Sequence, residues 1–193
     1  MGAGPAAHSY CVAYVPCTFK EVVARRAYSG ETHYLWGRRY RVNVIERAKA
    51  SRVLVKGNKS IDYYVREGSD DTHREKAFLA WYRRELRTAA GPLIEKWAKI
   101  MKLPMPDWRI KHMKTKWGSC SIKARRIWLN LELVKKSPRC LEYVIVHETA
   151  HFQERHHNDR FVKLLDRHLP TWRLCRDELN AVPLRQEEWR QGL

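Results

Sequence analysis

Two periods of apolar residues divide this chain of 193 residues. From Phe19 to about Gly68 the pattern is that of strands. Tyr34 to Val44 sets aromatic and β-branched residues on either side of a Gly turn. Arg52-Val53-Leu54-Val55, the turn residues Gly57-Asn58 and the run Ile61 to Arg66 predict a further hairpin. The cluster Gly68 to Thr72 ends the β region and offers an Asp or Thr as helix N-cap. The period then lengthens. Phe78, Trp81, Tyr82 and Leu86 recur at helical spacing with Arg83, Arg84 and Arg87 on the other side. Leu93, Ile94, Trp97, Ile100 and Met101 continue the stripe past Gly91-Pro92, where the helix is expected to kink or split.

Beyond Pro106 the pattern reads strand, strand, helix, helix. Trp108 to Lys111 alternates into Trp117-Gly118-Ser119-Cys120, and Ile127 to Leu131 forms a second strand. Ser137-Pro138 predicts a helix start with a Ser cap and Pro at the first helical position, running to about Glu154. Shorter helices follow around Asn158–His168 and from Thr171 towards Asn180. The expected organisation is a loose leader over 1–18, a β-rich part with a long helix over 19–104, and a catalytic part over 105–193, all in one compact unit.

Within the helix that begins at Pro138 lies His147-Glu148-Thr149-Ala150-His151, an HExxH pattern. Residues four apart share a helix face, so both imidazoles can aim at one ion. Neutral imidazole is a good zinc ligand, and Glu148 stands beside them as a base for a water held there. Chance would produce the pattern roughly 0.03 times in a chain of this composition, so it carries weight. A catalytic zinc usually takes three protein ligands. His157, His156 and Glu154, in that order, are the nearby candidates for the third, with His168 more remote.

Charge adds a second clue. The formal net charge is +17, and between Arg109 and Lys136 Glu132 is the sole acid among many Lys and Arg. Such a segment favours an anionic partner, either nucleotide phosphates or a nucleic-acid backbone. Lys114, Lys116, Trp117, Ser119, Cys120, Arg125 and Arg126 are candidate substrate-binding residues. Trp117 and Trp128 are expected to pack on the metal helix. Arg109–Lys116 or Ile127–Leu131 is expected to offer its edge to an extended peptide, and His112, Arg155, His156 and Arg160 are candidate transition-state stabilisers. Five cysteines without a CxxC pair predict reduced thiols in a cytoplasmic protein. No apolar window is long enough for a membrane helix, so no membrane partner is expected.

Trp117-Gly118-Ser119-Cys120-Ser121, Ile127-Trp128-Leu129-Asn130, Tyr143 to Glu148, His157 and Phe161 resemble the YgjP-like (DUF45) metal-dependent hydrolases, which are similar to SprT-like zinc metallopeptidases. Gly37 to Tyr40 and Trp81-Tyr82 extend the resemblance into the first half. It implies an α+β fold with a zincin-like catalytic half, comprising the HExxH helix and a small sheet, preceded by the β-rich half and the long helix. It also implies one zinc, or another divalent ion, on His147, His151 and His157, with Glu148 as base, and a peptide substrate. Thr149 and His156 depart from the family pattern, which commonly has an apolar residue and Asn there. A nucleoside-triphosphate pyrophosphohydrolase is the alternative activity. A nucleic-acid-binding protein with a structural zinc is the alternative from another class.

Overall fold

A two-residue turn opens the fold. Strand β1 (Thr32–Leu35) meets β2 (Arg38–Arg47) across Trp36-Gly37, both with positive φ (51° and 79°). This is the combination whose twist suits a tight hairpin. Trp36 and Gly37 donate backbone hydrogen bonds to the carbonyls of Val134 and Lys135, so the hairpin tip is fastened to the second half of the chain. The computed structural model describes residues 30–181. The expected leader and the start of the β region lie outside them.

β3 (Arg52–Lys56) and β4 (Ser60–Arg66) form the predicted hairpin. The sheet is not a simple succession of hairpins. Its order is β1-β2-β4-β3, with β2 and β4 parallel. Its inner residues, among them Val42, Ile61, Tyr63 and Val65, are buried against the aromatic stripe of α1 (Asp71–Ile100), where Phe78 packs edge-on to Tyr63 and Trp81. Asp70 caps α1 by accepting from the His73 amide.

Pro92 neither splits α1 nor ends it. A proline costs the helix one backbone hydrogen bond, but Ala90, Ile94 and Trp97 on either side of it are buried. Packing on that face offsets the loss. Further along, Lys96 and the Trp97 indole both donate to Glu142 Oε1 (2.7 and 3.0 Å), tying α1 to the helix that begins at Pro138.

The second sheet holds β5 (Asp107–Lys111), β6 (Gly118–Ser121) and β7 (Arg126–Asn130) in the order β5-β7-β6. β5 and β7 are parallel; β6 and β7 are antiparallel. The single strand expected from Trp108 into Cys120 is therefore two, separated by a loop. Asn130 organises that loop. Its buried amide donates to the carbonyls of Met113 and Lys116 (both 2.8 Å) and its oxygen accepts from Met113 and Glu132. Every polar atom of the side chain is satisfied, and β6 is delivered to the far edge of the sheet.

A short 3-10 turn (Leu131–Lys135) leads to α2 (Pro138–Ala150), α3 (Asp159–His168) and α4 (Trp172–Ala181). Pro138 starts α2 as expected, but the Ser137 hydroxyl makes no cap. It donates to Glu178 on α4 instead (2.8 Å), and Arg139 binds the same carboxylate. α2 is buried on nearly all sides, which explains its uniformly apolar run. The buried side chains of both halves form one contiguous cluster from Leu35 to Leu179. No helix among the described residues is long and apolar enough to cross a membrane.

Candidate metal centre

Because α2 is wedged between β6, α1, α3 and α4, its last turn and its C-cap carry His147 and His151 into a protected wall, the helix ending at Ala150 rather than near Glu154. His147 is 7% exposed and Glu148 6%. The chain leaves the helix at His151 and turns back through residues 152–158. Asn158 then caps α3 by accepting from the amides of Arg160 and Phe161 (3.0 and 3.1 Å). That cap fixes the residue before it: His157 faces the α2 histidines. One ring nitrogen from each of His147, His151 and His157 lies within 4.8 Å of the others, and Nε2 of His157 stands 3.0 Å from Nε2 of His147.

Phe161 holds the three rings together. Its own ring, almost fully buried, is 4.9, 4.7 and 4.7 Å from those of His147, His151 and His157. Tyr143 closes the far side of His147 (5.7 Å) and stacks on Trp172 of α4. The protonation pattern follows from the partners. His151 Nδ1 lies 3.2 Å from the carbonyl of Glu154. A carbonyl can only accept, so Nδ1 carries the hydrogen and Nε2 keeps its lone pair for the centre. Burial depresses the protonation of all three histidines, helped by neighbouring rings at His147 and His157 and partly opposed at His151 by its hydrogen bonds to the backbone of the following loop; His157 is brought down to about 4. Three neutral imidazoles fit a divalent cation, since tetrahedral zinc bonds of 2.0–2.1 Å place ligand nitrogens roughly 3.3 Å apart.

Glu148 points out of α2 in another direction, towards β6. Burial raises its carboxyl to about 8, with Lys116 pulling it back down. It can lie there because position 118 is glycine. A Cβ on Gly118 would sit 2.6 Å from Glu148 Oε1 and 2.8 Å from both Glu148 Cγ and Val144 Cγ1. The φ of Gly118 is not in the left-handed region, so the requirement is purely steric. Gly118→Ala is expected to push the Glu148 carboxyl aside, lowering kcat about 100-fold, the scale of a 1 Å misplacement, with metal content unchanged. Steady-state kinetics beside elemental analysis checks this; undiminished turnover would show that the Glu148 position does not matter.

The three rings and Glu148 open into a cleft of about 700 Å³. Of the residues expected to bind substrate, Lys116, Trp117, Ser119 and Cys120 line it. Lys114, Arg125 and Arg126 do not. Arg126 lies on the opposite face of the sheet, bonded to Asp107, because strand alternation turns Ile127 inward and its neighbours outward. Trp128 shares that outer face, beneath Lys111 (4.6 Å), and so does not pack on α2. Arg125 lies near the Phe152 ring (5.9 Å).

The strand beside the metal helix is β6. β7 is central, with both edges paired, and β5 is at the far side of the sheet. Of the four candidate transition-state groups only Arg155 lines the cleft. His112 pairs with Glu132, and His156 and Arg160 are exposed. Glu154 serves the centre through its backbone carbonyl rather than its carboxylate, and His168 packs on Trp97. Burial, with Glu148 nearby, pushes the Cys120 thiol up to about 12, which keeps it protonated at neutral pH. Thr149 is accommodated in the core by a hydrogen bond to the Ile145 carbonyl (2.7 Å). Gly118 and Phe161 do their work through contacts that no local periodicity announces.

A model described as "YgjP-like, metallopeptidase domain" matches residues 16–182, and the chain belongs to this family. It is a metal-dependent hydrolase. Among solved structures, the metallopeptidase zymogen abylysin of Pyrococcus abyssi is similar at 22% identity and a TM-score of 0.43, over 46% of this chain and 89% of that one. The metallopeptidase zymogen jannalysin of Methanocaldococcus jannaschii is similar at 25% identity and 0.38, over 42% and 81%. No curated protein matches the chain.

Proposed function

We propose that the chain is a zinc peptidase in which His147, His151 and His157 hold the ion and Glu148 is the general base. The convergence of three neutral imidazoles beside a buried carboxyl, at the foot of a free strand edge, supports this reading. Bound there, zinc supplies Lewis-acid polarisation of the scissile carbonyl and acidifies the attacking water. Among the described residues β6 pairs on one side only, leaving backbone groups along the cleft to which an extended substrate can hydrogen-bond as an added strand. In its ionised form Glu148 takes the proton of the attacking water as the water's oxygen bonds to the carbonyl carbon. It then passes that proton to the amide nitrogen as the carbon–nitrogen bond breaks. Phe161 and Tyr143 keep the imidazoles in place and exclude water from their flanks.

The test is incubation of the zinc-loaded chain with a diverse peptide pool, followed by mass spectrometry of the products. New termini should appear, vanish with chelator and return with added zinc. Intact peptides alongside turnover of nucleoside triphosphates would replace this reading with the phosphohydrolase one.

A further inference from the structure

The cleft carries positive charge beyond the metal centre. Lys116, Lys123 and Arg155 all line it, and among the described residues the single acid on its walls is Glu148. None of the three cationic side chains makes an ion pair or hydrogen bond with a carboxylate among the described residues. Other cations of this half, among them Lys135, Arg126 and Arg139, do pair with carboxylates, those of Glu132, Asp107 and Glu178. Lys116 also acts electrostatically on the Glu148 carboxyl, but no carboxylate bonds directly to any of the three, and cations so placed in a concave site focus a positive potential on whatever enters it.

Their placement follows the strand. Lys116 lies two residues before β6 and Lys123 two residues after it, so the two flank the free edge at its opposite ends. Arg155 faces them from the loop between His151 and His157. A chain lying along β6 advances about 3.3 Å per residue. With its reacting bond at Glu148 beside Gly118, its side chains within a few residues on both flanks come under these cations. Along the backbone the anchoring points are spread: the whole four-residue strand separates Lys116 from Lys123, about 13 Å of extended chain. A triphosphate clamp needs donors gathered on one point, whereas a spread row suits an extended polymer with several acids.

We infer that this cleft selects peptides carrying Asp or Glu within a few residues on either side of the scissile bond, through Lys116, Lys123 and Arg155. The inference rests on the peptidase reading above.

The experiment uses the zinc-loaded full chain and a peptide library randomised around a central bond, with cleavage sites read by mass spectrometry. Asp and Glu should be enriched on both flanks, and the enrichment should shrink as salt is raised. The double variant Lys123→Glu/Arg155→Glu should lose about 5- to 10-fold in kcat/KM on an acidic peptide, the scale of exposed charge pairs. It should gain on the same peptide with Lys in place of Glu, a crossing that a structural defect would not produce. Cleavage without acidic enrichment, or an equal loss on both peptides, overturns the inference and leaves the peptidase reading standing. Failure to cleave any peptide overturns that reading and the inference with it.

Discussion

Glu148→Gln is expected to abolish turnover while leaving the metal in place. Gln has nearly the same shape, so it can occupy the space against Gly118 and Val144 that a larger or branched side chain would not fit. It cannot accept the proton of the attacking water. General-base catalysis of this kind contributes about 100- to 10,000-fold, and kcat should fall by at least that range. Zinc content by elemental mass spectrometry should match the parent protein, because the three imidazoles are untouched.

The same substitution has a stability signature in the metal-free protein. Burial raises Glu148 to about 8 from the ordinary 4.5. The folded state therefore holds the proton more tightly than the unfolded state does, and this stabilisation, complete below about pH 4.5, is lost as pH rises through 8. Metal-free Glu148→Gln lacks that loss and should melt at or above the parent at pH 8. A lower Tm together with lost turnover would make Glu148 a structural residue instead.

The second large effect concerns the ligands. His147→Ala, His151→Ala and His157→Ala should each reduce bound zinc from about one ion per chain, the ratio for a single three-histidine site, to near none. His156→Ala should retain it. The adjacent pair is the sharpest control, since both are histidines in one loop and differ chiefly in direction. Within the triad, ring nitrogens approach to 3.0 Å, whereas His156 is exposed and its amide turns to Glu154. Retention of metal in His157→Ala with loss in His156→Ala would reverse the assignment. Circular dichroism of each variant separates loss of a ligand from loss of the fold, which matters most for the deeply buried His147.

Local chemistry made several parts of this protein legible before any coordinates. The i, i+4 spacing of His147 and His151 on an apolar helical run is a statement about one helix, and helices are set by near neighbours. The start of α2 at Pro138, the Asp70 cap on α1 and the hairpin of β3 and β4 are of the same kind. Where a local signal competed with packing, packing won. Pro92 should disturb α1, yet buried side chains on both sides of it hold the helix together. The Ser137 hydroxyl, a natural cap, finds a stronger acceptor in Glu178, a carboxylate from another helix.

Other features depended on segments far apart in the chain. The parallel pairing of β2 with β4 passes over β3, and nothing in either strand's alternation specifies its neighbour. Placing β6 rather than β5 or β7 at the cleft required the Asn130 side chain to close a loop onto the backbone of Met113 and Lys116. Choosing between His156 and His157 required the Asn158 cap and the seating of Phe161, because adjacent residues in a non-helical loop share no period that tells inward from outward. The sequence alone determined the kind of chemistry: two imidazoles and a carboxyl on one helix, in a basic chain. The tertiary structure decided which third imidazole gathers with them, and that Glu148 rests against Gly118 with Lys116 nearby. Ligand geometry and steric room are relations between elements, and they exist only once those elements have packed.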